Sequence, residues 1–382
     1  MAARKLLSIG HSYVVTLNRR LANEMARVGR GKWEVTAVAP AFFQGDIGPL
    51  RLEPDPGEAC RLEPVRTYLN RYNQVFFYGR HLQSLLRERW DLVHCWEEPY
   101  VFAGGQVARW TEGATPFVFW TAQNIPKHYP PPFAQVEQFC LARCAGWMAC
   151  GQSIVDTLLP RGYGQKPYRV MPLGVDVEKF RPDRDAGRRI RAGLGWDGEG
   201  AAVVGYLGRF VEEKGVLLLT RVLDQVRAPW RALFVGGGPM EGGLRDWARQ
   251  YGDRVRIVTG VSHDQVPAHL NAMDILCAPS QTTPRWREQF GRMLIEAFAC
   301  GIPVVASDSG EIPHVVDDAG IIVSEGSEPA WTDAIGALIE SPVRRRELSE
   351  RGRGRVHANY AWPLVATRHL DFFEELLDSR AA

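Results

Sequence analysis

The stretch EQFGRMLIEAFACGIPVVASDSG, residues 288–310, joins a helical pattern to a strand pattern. Gly291 stands before the amphipathic segment and Gly301 follows it, and glycine is the residue that most often ends a helix. The next run, IPVVAS at residues 302–307, is short, apolar and typical of a buried strand. A helix followed at once by such a strand is the repeating unit of a parallel sheet covered by helices. The stretch therefore predicts an α/β fold.

The same alternation extends outward in both directions. Strand-like runs in the first half of the chain lie at residues 5–10, 33–40, 91–96, 116–123, 146–151 and 168–176. Those of the second half lie at residues 201–210, 231–238, 255–260, 274–280, 302–307 and 320–326. Between the first two runs, a helical stripe is formed by Val14, Leu17, Leu21, Met25 and Val28. The two series predict two Rossmann-like domains with parallel sheets.

The domain limits follow from the gap between the two series. The polar stretch 180–200 lacks apolar periodicity and separates the two halves, and its first residues are interpreted as the linker. We predict an N-terminal domain at 1–175 and a C-terminal domain at 176–362, with a helix at about 363–382, after Pro363, that returns to the first domain. If the two sheets face each other, their ligands lie in the cleft between them, since open α/β sheets bind ligands outside the carboxyl ends of their strands.

Composition excludes several classes of protein. A chain of 382 residues is longer than one domain usually needs. Its 46 basic and 44 acidic residues are too balanced for a nucleic-acid partner. The seven cysteines show no paired zinc spacing and are interpreted as reduced core thiols. No signal peptide or membrane-spanning run is recognised, so we expect a cytoplasmic protein.

A phosphate-binding site is predicted around Gly291. Backbone N–H groups at Phe290, Gly291 and Arg292, together with the positive end of the helix, form a seat for a diphosphate. Glu288 lies in the loop before the helix and Glu296 on its second turn, where carboxylates accept hydrogen bonds from sugar hydroxyls. The alternative is that both glutamates are solvated surface charges.

A cationic pair is predicted at the start of the second sheet. In GRFVEEKGV, residues 208–216, Arg209 and Lys214 follow the first strand of this sheet. Two cations at the carboxyl end of a strand can stabilise a diphosphate as it leaves. The alternative is an ordinary basic loop, because Glu212 and Glu213 are beside them.

These motifs, with LFVGGGP and VTGVSHDQVPAHLNAMDILCAPS between them, resemble in order the C-terminal half of family 4 glycosyltransferases. The resemblance implies the GT-B fold, a nucleotide diphosphate sugar as donor, retention of anomeric configuration and no divalent metal. It assigns the diphosphate to Arg209 and Lys214, the donor sugar to Glu288 and the ribose to Glu296. Backbone contacts to the donor are implied for Gly10, Gly237, Val261, Phe290, Gly291 and Arg292.

The acceptor side departs from the family pattern. The first loop has Gly10 followed by His11 instead of a glycine pair, and Gln123 and Asn124 stand where many members carry a histidine. His128, in a proline-rich loop, and Glu97, after the run at 91–96, are further candidates for contacts to the acceptor. Each is also consistent with a surface loop. The acceptor is a hydroxyl of a glycan, a lipid-linked sugar or a small molecule.

Three further interpretations remain open. The segment 66–90 interleaves arginines with aromatic residues. It either lies on anionic lipid, or binds a lipid-phosphate acceptor, or is an interior helix with arginines reaching solvent. Asp183 and Asp185 spell the Asp-x-Asp of metal-dependent transferases but lie in the arginine-rich linker, so no metal site is predicted. The alternative functions are a sugar-nucleotide epimerase of GT-B fold and a non-catalytic, membrane-docked partner subunit. A nicotinamide oxidoreductase is disfavoured, because no Gly-x-Gly-x-x-Gly turn follows the first strand.

Overall fold

The computed structural model describes residues 2–45, 48–196 and 200–381. The chain divides into two compact units, Met1–Pro172 with Trp362–Ala382, and Leu173–Ala361. The predicted limits at 175 and 363 fall a few residues from these boundaries. Each unit is a parallel sheet flanked by helices, so the predicted α/β fold class with two Rossmann-like domains is confirmed.

The first unit contains eleven of the described strands. They are β1 (Arg4–Ile9), β2 (Trp33–Pro40), β3 (Phe42–Phe43), β4 (Leu50–Arg51), β5 (Arg61–Val65), β6 (Thr67–Tyr68), β7 (Phe77–Tyr78), β8 (Leu92–Cys95), β9 (Phe117–Thr121), β10 (Gly146–Ala149) and β11 (Tyr168–Val170). Its helices are α1 (Thr16–Val28), α2 (Arg80–Leu86), α3 (Phe102–Trp110), α4 (Phe133–Arg143) and α5 (Gln152–Leu158). The main sheet is parallel in the order β11-β10-β9-β8-β1-β2-β5, and β3-β4 and β6-β7 are short antiparallel pairs.

The second unit has one six-stranded parallel sheet in the order β14-β13-β12-β15-β16-β17. Its strands are β12 (Ala202–Arg209), β13 (Trp230–Gly237), β14 (Val255–Val258), β15 (Ile275–Ala278), β16 (Val304–Ser307) and β17 (Ile321–Val323). Its helices are α6 (Arg184–Gly193), α7 (Val216–Gln225), α8 (Glu241–Ala248), α9 (Val266–Leu270), α10 (Arg292–Ala299), α11 (Ile312–Val316), α12 (Glu328–Glu340) and α13 (Pro342–Asn359).

The helix α14 (Trp362–Ala381) belongs to the first unit. It packs against α1, and Phe372 and Phe373 join the same core as Trp33 and Met25. The indole N–H of Trp33 donates to Glu374 at 3.1 Å. Pro363 lies in the first turn of α14, where its missing N–H costs no helical hydrogen bond. The first sheet therefore completes its core with a segment from beyond the second unit.

The linker prediction at the first residues of 180–200 is wrong, because the two units divide earlier, between Pro172 and Leu173, and much of this stretch is a helix of the second unit. Residues 184–193 form α6, and Asp183 caps it by accepting a 2.8 Å hydrogen bond from the backbone N–H of Ala186. At Gly187 a Cβ atom would lie 2.1 Å from the carbonyl oxygen of Asn271, so glycine permits a close approach. Arg191 pairs with Asp274 at 2.9 Å. The arginines that interrupted the apolar pattern thus fix a helix on the second unit. Residues 197–199 lie outside the described ranges.

The interpretation of residues 66–90 as an interior helix is also wrong. The segment forms the hairpin β6-β7 and then the short helix α2. Its aromatic residues divide between two environments: Phe76 and Tyr78 are buried, whereas Tyr68, Tyr72 and Phe77 are exposed. A smaller correction concerns the first helical stripe, because Val14 lies in a 3-10 turn before α1 and Val28 is exposed.

Candidate active site

The order of strands reverses in the second sheet between β12 and β15. Successive strands run outward from β12 to β14 on one side and from β15 to β17 on the other. In open parallel sheets, ligands bind outside the carboxyl ends of the strands at such a reversal. Arg209 ends β12, and Ser280 follows β15 at this position. The candidate donor residues therefore follow the two strands that flank the reversal.

The loops after β12 and β15 are packed together tightly. Gly215 has φ of +68°, and a Cβ atom there would lie 1.8 Å from the carbonyl oxygen of Pro279. The backbone N–H of Gln281 donates to the carbonyl of Glu213 at 2.8 Å. Only glycine can adopt this conformation at such a close approach without strain. The contact fixes Lys214 against the loop that contains Glu288.

Lys214 and Glu288 form a largely buried ion pair. The Lys214 Nζ lies 2.5 Å from Glu288 Oε2, with side-chain exposures of 17% and 7%. The same oxygen accepts a 2.9 Å hydrogen bond from Ser280, and Nζ lies 4.9 Å from the centre of the Trp286 ring. Glu288 is therefore not a solvated surface charge. Its carboxylate and the ammonium group of Lys214 meet at the reversal point of the sheet.

The side chain of Arg209 is much more exposed to solvent than that of Lys214. Its side chain is 59% exposed, and its nearest acidic partner is Glu213, at 3.7 Å. The carbonyl of Arg209 accepts a hydrogen bond from the Tyr206 hydroxyl at 2.7 Å, which holds the backbone. A guanidinium on a fixed backbone with an exposed side chain is suited to an anionic ligand.

The amino end of α10 is shaped by two glycines. Gly291, directly before the helix, has φ of +80°, and Gly310 has φ of +58°. A Cβ atom at Gly310 would lie 2.0 Å from the carbonyl oxygen of Glu288, which also accepts from the backbone N–H of Glu311 at 3.0 Å. Phe290 is buried edge-on against Tyr360. These contacts of Phe290 and of the Glu288 carbonyl fix the loop before α10. Arg292 begins the helix at its positive end.

The glycine-rich end of β13 lies beside β12. The backbone N–H of Phe210 donates to the carbonyl of Gly237 at 2.8 Å. A Cβ atom at Gly236 would lie 1.8 Å from the Gly208 carbonyl oxygen, whereas one at Gly237 would meet no atom within 4 Å. Val261, in the loop after β14, is partly buried. Gly237 and Val261, for which the resemblance implies backbone contacts to the donor, thus both lie at the carboxyl end of this sheet.

His263 is a site residue that the sequence interpretation missed. Its Nε2 lies 3.1 Å from Glu296 Oε1, and Glu296 is buried. On its other side, His263 Nδ1 lies 3.3 Å from Lys179 Nζ. The motif VTGVSHDQV contains this histidine three residues beyond Gly260, but nothing in the spacing relates it to Glu296, which is in a different element.

We expect the substitution His263→Ala to weaken the binding of a nucleoside diphosphate about fivefold, because an unpositioned carboxylate loses about 1 kcal/mol of a hydrogen bond. Titration calorimetry with GDP and UDP measures this change. The substitution His314→Ala, at an exposed position of the same unit, is the control. Equal affinities for both variants would contradict a positioning role for His263.

The first sheet has the same kind of reversal, between β1 and β8. Gly10 and His11 follow β1, and Glu97 follows β8 after one residue. A Cβ atom at Gly10 would lie 3.0 Å from Trp96 Cβ, so the lack of a side chain brings the two loops together. The acceptor-side candidates His11 and Glu97 therefore meet at a position equivalent to that of Lys214 and Glu288 in the second sheet.

Three donors converge on the carboxylate of Glu97. His11 Nδ1 lies 2.5 Å from Oε2, and the backbone N–H of His11 donates to Oε1 at 2.6 Å. The Tyr78 hydroxyl donates to Oε1 at 2.5 Å. Glu97 is 1% exposed and His11 29%. The interpretation of Glu97 as part of a solvated loop is wrong, because the residue is buried and fully engaged by its neighbours.

The surroundings of Glu97 define the state of its partners. Burial, together with the adjacent Glu97 carboxylate, raises the pKa of Tyr78, so its hydroxyl stays protonated and donates. The Glu97 carboxylate accepts the proton of His11 Nδ1, which fixes the orientation of the imidazole ring. The imidazole is enclosed by the rings of Phe43 at 5.0 Å and Phe76 at 5.3 Å. The ring of His11 is thus held in one orientation.

Gln123, Asn124 and His128 are placed less favourably. The side-chain amide oxygen of Gln123 accepts hydrogen bonds from the Tyr129 hydroxyl at 2.9 Å and from Arg161 at 3.1 Å. Asn124 is buried, and His128 is exposed. The structure therefore brings His11 and Glu97 together but fixes Gln123 within a separate network.

Glu98, next to Glu97, gives a prediction for pH dependence. It accepts hydrogen bonds from Thr121 Oγ1 at 2.5 Å and Ala122 N at 2.8 Å, while burial raises its pKa from 4.5 to about 6. The folded state therefore holds the proton more tightly than the unfolded state, and the associated stability is lost as pH rises from 4.5 to about 6.

We expect the free energy of unfolding of the unmodified chain, relative to that of the variant Glu98→Gln, to fall across this interval and to level off above it. Urea unfolding followed at several pH values measures the difference. A difference that does not change with pH would contradict the assignment.

Other candidate sites carry little chemistry. Asp183 is a helix cap and Asp185 pairs with Arg188, so the Asp-x-Asp pair is structural. Within residues 2–45, 48–196 and 200–381, no group of three or more His, Cys, Asp or Glu side chains is arranged to hold a metal ion. All seven cysteines are free and buried, as predicted for core thiols. None of the described helices is long and apolar enough to cross a bilayer.

Solved structures resemble this fold along the whole chain. A glycosyltransferase from Rickettsia africae matches with a TM-score of 0.77 at 15% identity, covering 99% of each chain. The Anabaena protein HepE, solved with UDP, matches with a TM-score of 0.74 at 16% identity, covering 97% of this chain and 100% of that one. At these identities the likeness concerns the fold, which is GT-B.

Two sequence relatives are named as glycosyltransferases. A GDP-mannose-dependent alpha-(1-6)-phosphatidylinositol monomannoside mannosyltransferase of Mycolicibacterium smegmatis is 34% identical over 221 residues, 56% of this chain and 57% of that protein. The alignment thus spans little more than half of this relative. A D-inositol 3-phosphate glycosyltransferase of Salinispora tropica is 29% identical over 367 residues, 87% of this chain and 71% of that protein.

Two family models cover most of the chain between them. Residues 14–179 match the model described as Glycosyltransferase Family 4. Residues 189–355 match the model described as Glycosyl transferases group 1. With the fold and the order of motifs already described, these matches show that the chain belongs to the family 4 glycosyltransferases.

Proposed function

We propose that this protein transfers a hexosyl group from a nucleotide diphosphate sugar to a hydroxyl group of a glycan, a lipid-linked sugar or a small molecule. The observation that carries the proposal is the buried pair of Lys214 and Glu288, at the reversal point of the second sheet and beside the amino end of α10. A cation, a carboxylate and a helix amino end together match a diphosphate attached to a sugar.

In the proposed reaction, the bond between the anomeric carbon and the diphosphate oxygen breaks. Arg209 and Lys214 stabilise the negative charge that develops on the leaving diphosphate, without a divalent metal. Glu288 accepts hydrogen bonds from the donor sugar, and Glu296, held by His263, accepts them from the ribose. The acceptor oxygen bonds to the anomeric carbon on the same face, and its proton passes to the departing diphosphate, so the configuration is retained.

The acceptor side is assigned to His11 and Glu97. Glu97 holds the imidazole, and Nε2 of His11 forms a hydrogen bond with a sugar hydroxyl. Gly10 brings the two loops together, and its own backbone contacts the donor. Gln123 has a supporting role through its hydrogen bonds with Tyr129 and Arg161. Asn124 and His128 have the weakest support as contacts to the acceptor, because Asn124 is buried and His128 lies on the surface.

The test begins with thermal-shift measurements of UDP-, GDP- and ADP-sugars, followed by product analysis with the stabilising donor. The mannosyltransferase of Mycolicibacterium smegmatis is named for GDP-mannose, which supports GDP-mannose as the first donor to test. Conversion of the donor without any acceptor would favour an epimerase. The absence of binding by every nucleotide would favour a non-catalytic partner subunit.

A peripheral contact with an anionic membrane is part of the proposal. The hairpin β6-β7 and the turn within it expose Tyr68, Leu69, Tyr72 and Phe77. Exposed arginines accompany them in the same segment: Arg66, Arg71 and Arg80. Aromatic side chains with arginines are suited to the interface of a bilayer with anionic head groups.

We expect the double variant Arg66→Glu, Arg71→Glu to bind phosphatidylglycerol vesicles far more weakly than the unmodified chain. Each arginine near such a surface contributes about 1 kcal/mol, roughly fivefold in affinity. Cosedimentation measures the effect, with phosphatidylcholine vesicles as the neutral comparison. The variant Arg344→Glu, Arg346→Glu, at exposed positions of α13, is the control, and an equal loss in that variant would contradict the assignment.

A further inference from the structure

An apolar groove lies on the first unit between α3 and α4. It has a volume of about 630 Å³ and is lined mainly by Phe77, Phe102, Pro132, Val136 and Phe139. Gly105 forms part of its floor, where a Cβ atom would lie 2.7 Å from Val136 Cγ1, so the two helices pack closely beneath it. Apolar surface of this kind, left open to water, is typical of a binding site.

The polar residues of the groove do not oppose an apolar ligand. Gln106 accepts from the backbone N–H of Tyr78 at 2.7 Å and donates to its carbonyl at 2.9 Å, so its amide is turned to β7. Gln135 and Arg109 are both exposed, and Arg109 is the only charged side chain among the described residues of the lining. The groove therefore combines an apolar floor with one cation at its edge, which complements a hydrocarbon chain carrying an anionic end.

The groove is connected to the candidate acceptor site through β7. Successive side chains of a strand point to opposite faces: Phe77 lines the groove, and Tyr78 donates to Glu97. Phe77 also stacks on Tyr68 of the exposed hairpin, with ring centres 5.5 Å apart. One short strand thus separates the groove from the His11–Glu97 pair, and the same strand carries the surface assigned to the membrane.

We propose that this groove binds one hydrocarbon chain of an anionic, lipid-linked acceptor, whose phosphate or carboxylate lies near Arg109. This assignment rests on the proposed function and selects the lipid-linked class among its acceptors. The hydrocarbon chain of the acceptor leaves the bilayer beside the hairpin β6-β7 and lies along Phe77, Phe102 and Phe139. The groove then holds the acceptor by its tail, while His11 and Glu97 bind its sugar.

The test uses cis-parinaric acid, a fluorescent fatty acid, with the full chain and no donor. We expect saturable binding that Phe139→Asp weakens by about tenfold or more, because a carboxylate replaces an apolar contact. Phe139 is 40% exposed, so its replacement leaves the core intact. The control Leu159→Asp, 37% exposed on the same unit outside the groove, should bind as the unmodified chain does. The substitution Arg109→Gln should weaken the binding of cis-parinaric acid but not the binding of its methyl ester.

Several outcomes would overturn the assignment. These are no saturable binding, equal binding by Phe139→Asp, or equal losses in Phe139→Asp and Leu159→Asp. Sedimentation showing a dimer of the unmodified chain that Phe139→Asp dissociates would assign the groove to a second copy instead. Nucleotide binding is measured on the same preparations. Fatty-acid binding without nucleotide binding would leave the groove assigned and reject the transferase, and the reverse result would reject only the groove.

Discussion

The substitution Lys214→Ala is expected to lower kcat/KM for glycosyl transfer by about two to three orders of magnitude, the usual effect of removing one electrostatic contact to a transition state. Lys214 Nζ lies 2.5 Å from Glu288 and is held by the tight contact of Gly215 with Pro279. Alanine removes the cation and leaves a buried carboxylate with one donor fewer. Steady-state kinetics with the identified donor measures the loss.

The same contact predicts a cost in stability. Breaking a buried ion pair by removing one partner costs about 3–5 kcal/mol, because the remaining charge is uncompensated. The double variant Lys214→Met, Glu288→Gln removes both charges, so its free energy of unfolding should recover much of that loss. Its activity should not recover. Arg221→Ala, which removes an exposed ion pair with Glu328, is the control. An active double variant would contradict the site.

The second large effect is expected at Glu97. The substitution Glu97→Gln places an amide N–H₂ among three donors, from the ring and backbone of His11 and from Tyr78. One buried donor loses its acceptor, which costs about 1–3 kcal/mol of stability. His11 also loses the partner that fixes the orientation of its ring. We therefore expect transfer to fall by about a hundredfold, within the range of a misplaced acid–base group.

A merely structural role for Glu97 would give a different result. The proposed side-chain contacts to the nucleotide lie in the second unit, and Glu97 is not among them, so calorimetry should give nearly the same affinity for the nucleotide in Glu97→Gln as in the unmodified chain. The substitution Tyr78→Phe removes one donor and keeps His11 in place, so it should retain most of the activity. Glu34→Gln, at an exposed position of β2, is the control. A loss of activity in Tyr78→Phe equal to that in Glu97→Gln would contradict positioning through His11.

The parts of the fold that follow local rules could be predicted from the sequence. Every strand predicted in the two series is present, because short apolar runs between helical patterns have few alternatives. The edge strand β5 was missed, since RLEPV contains a proline and two charged residues among its five. Proline is tolerated there because β5 lies at the edge of the sheet.

The failures concern contacts between distant segments. The arginine-rich stretch 180–200 has no apolar stripe, yet α6 is fixed by the Asp183 cap and the ion pair of Arg191 with Asp274. The candidates Lys214, His11 and Glu97 were recognised by residue type and position after a strand, and Glu288 by its position before a helix. Which of these residues form pairs, and whether His263 contacts Glu296, depends on which strands are neighbours in a sheet. That order is a property of the topology and cannot be read from local spacing.

The placement of α14 affects how this chain can fold as it is synthesised. Its residues Phe372, Phe373 and Leu376 pack in one core with Leu6 and Trp33. A nascent chain that has not yet reached α14 presents this part of the first sheet to solvent, even after all of the strands β1 to β11 have left the ribosome. The unit translated first is therefore completed last, and it depends on protection from aggregation throughout translation of the second.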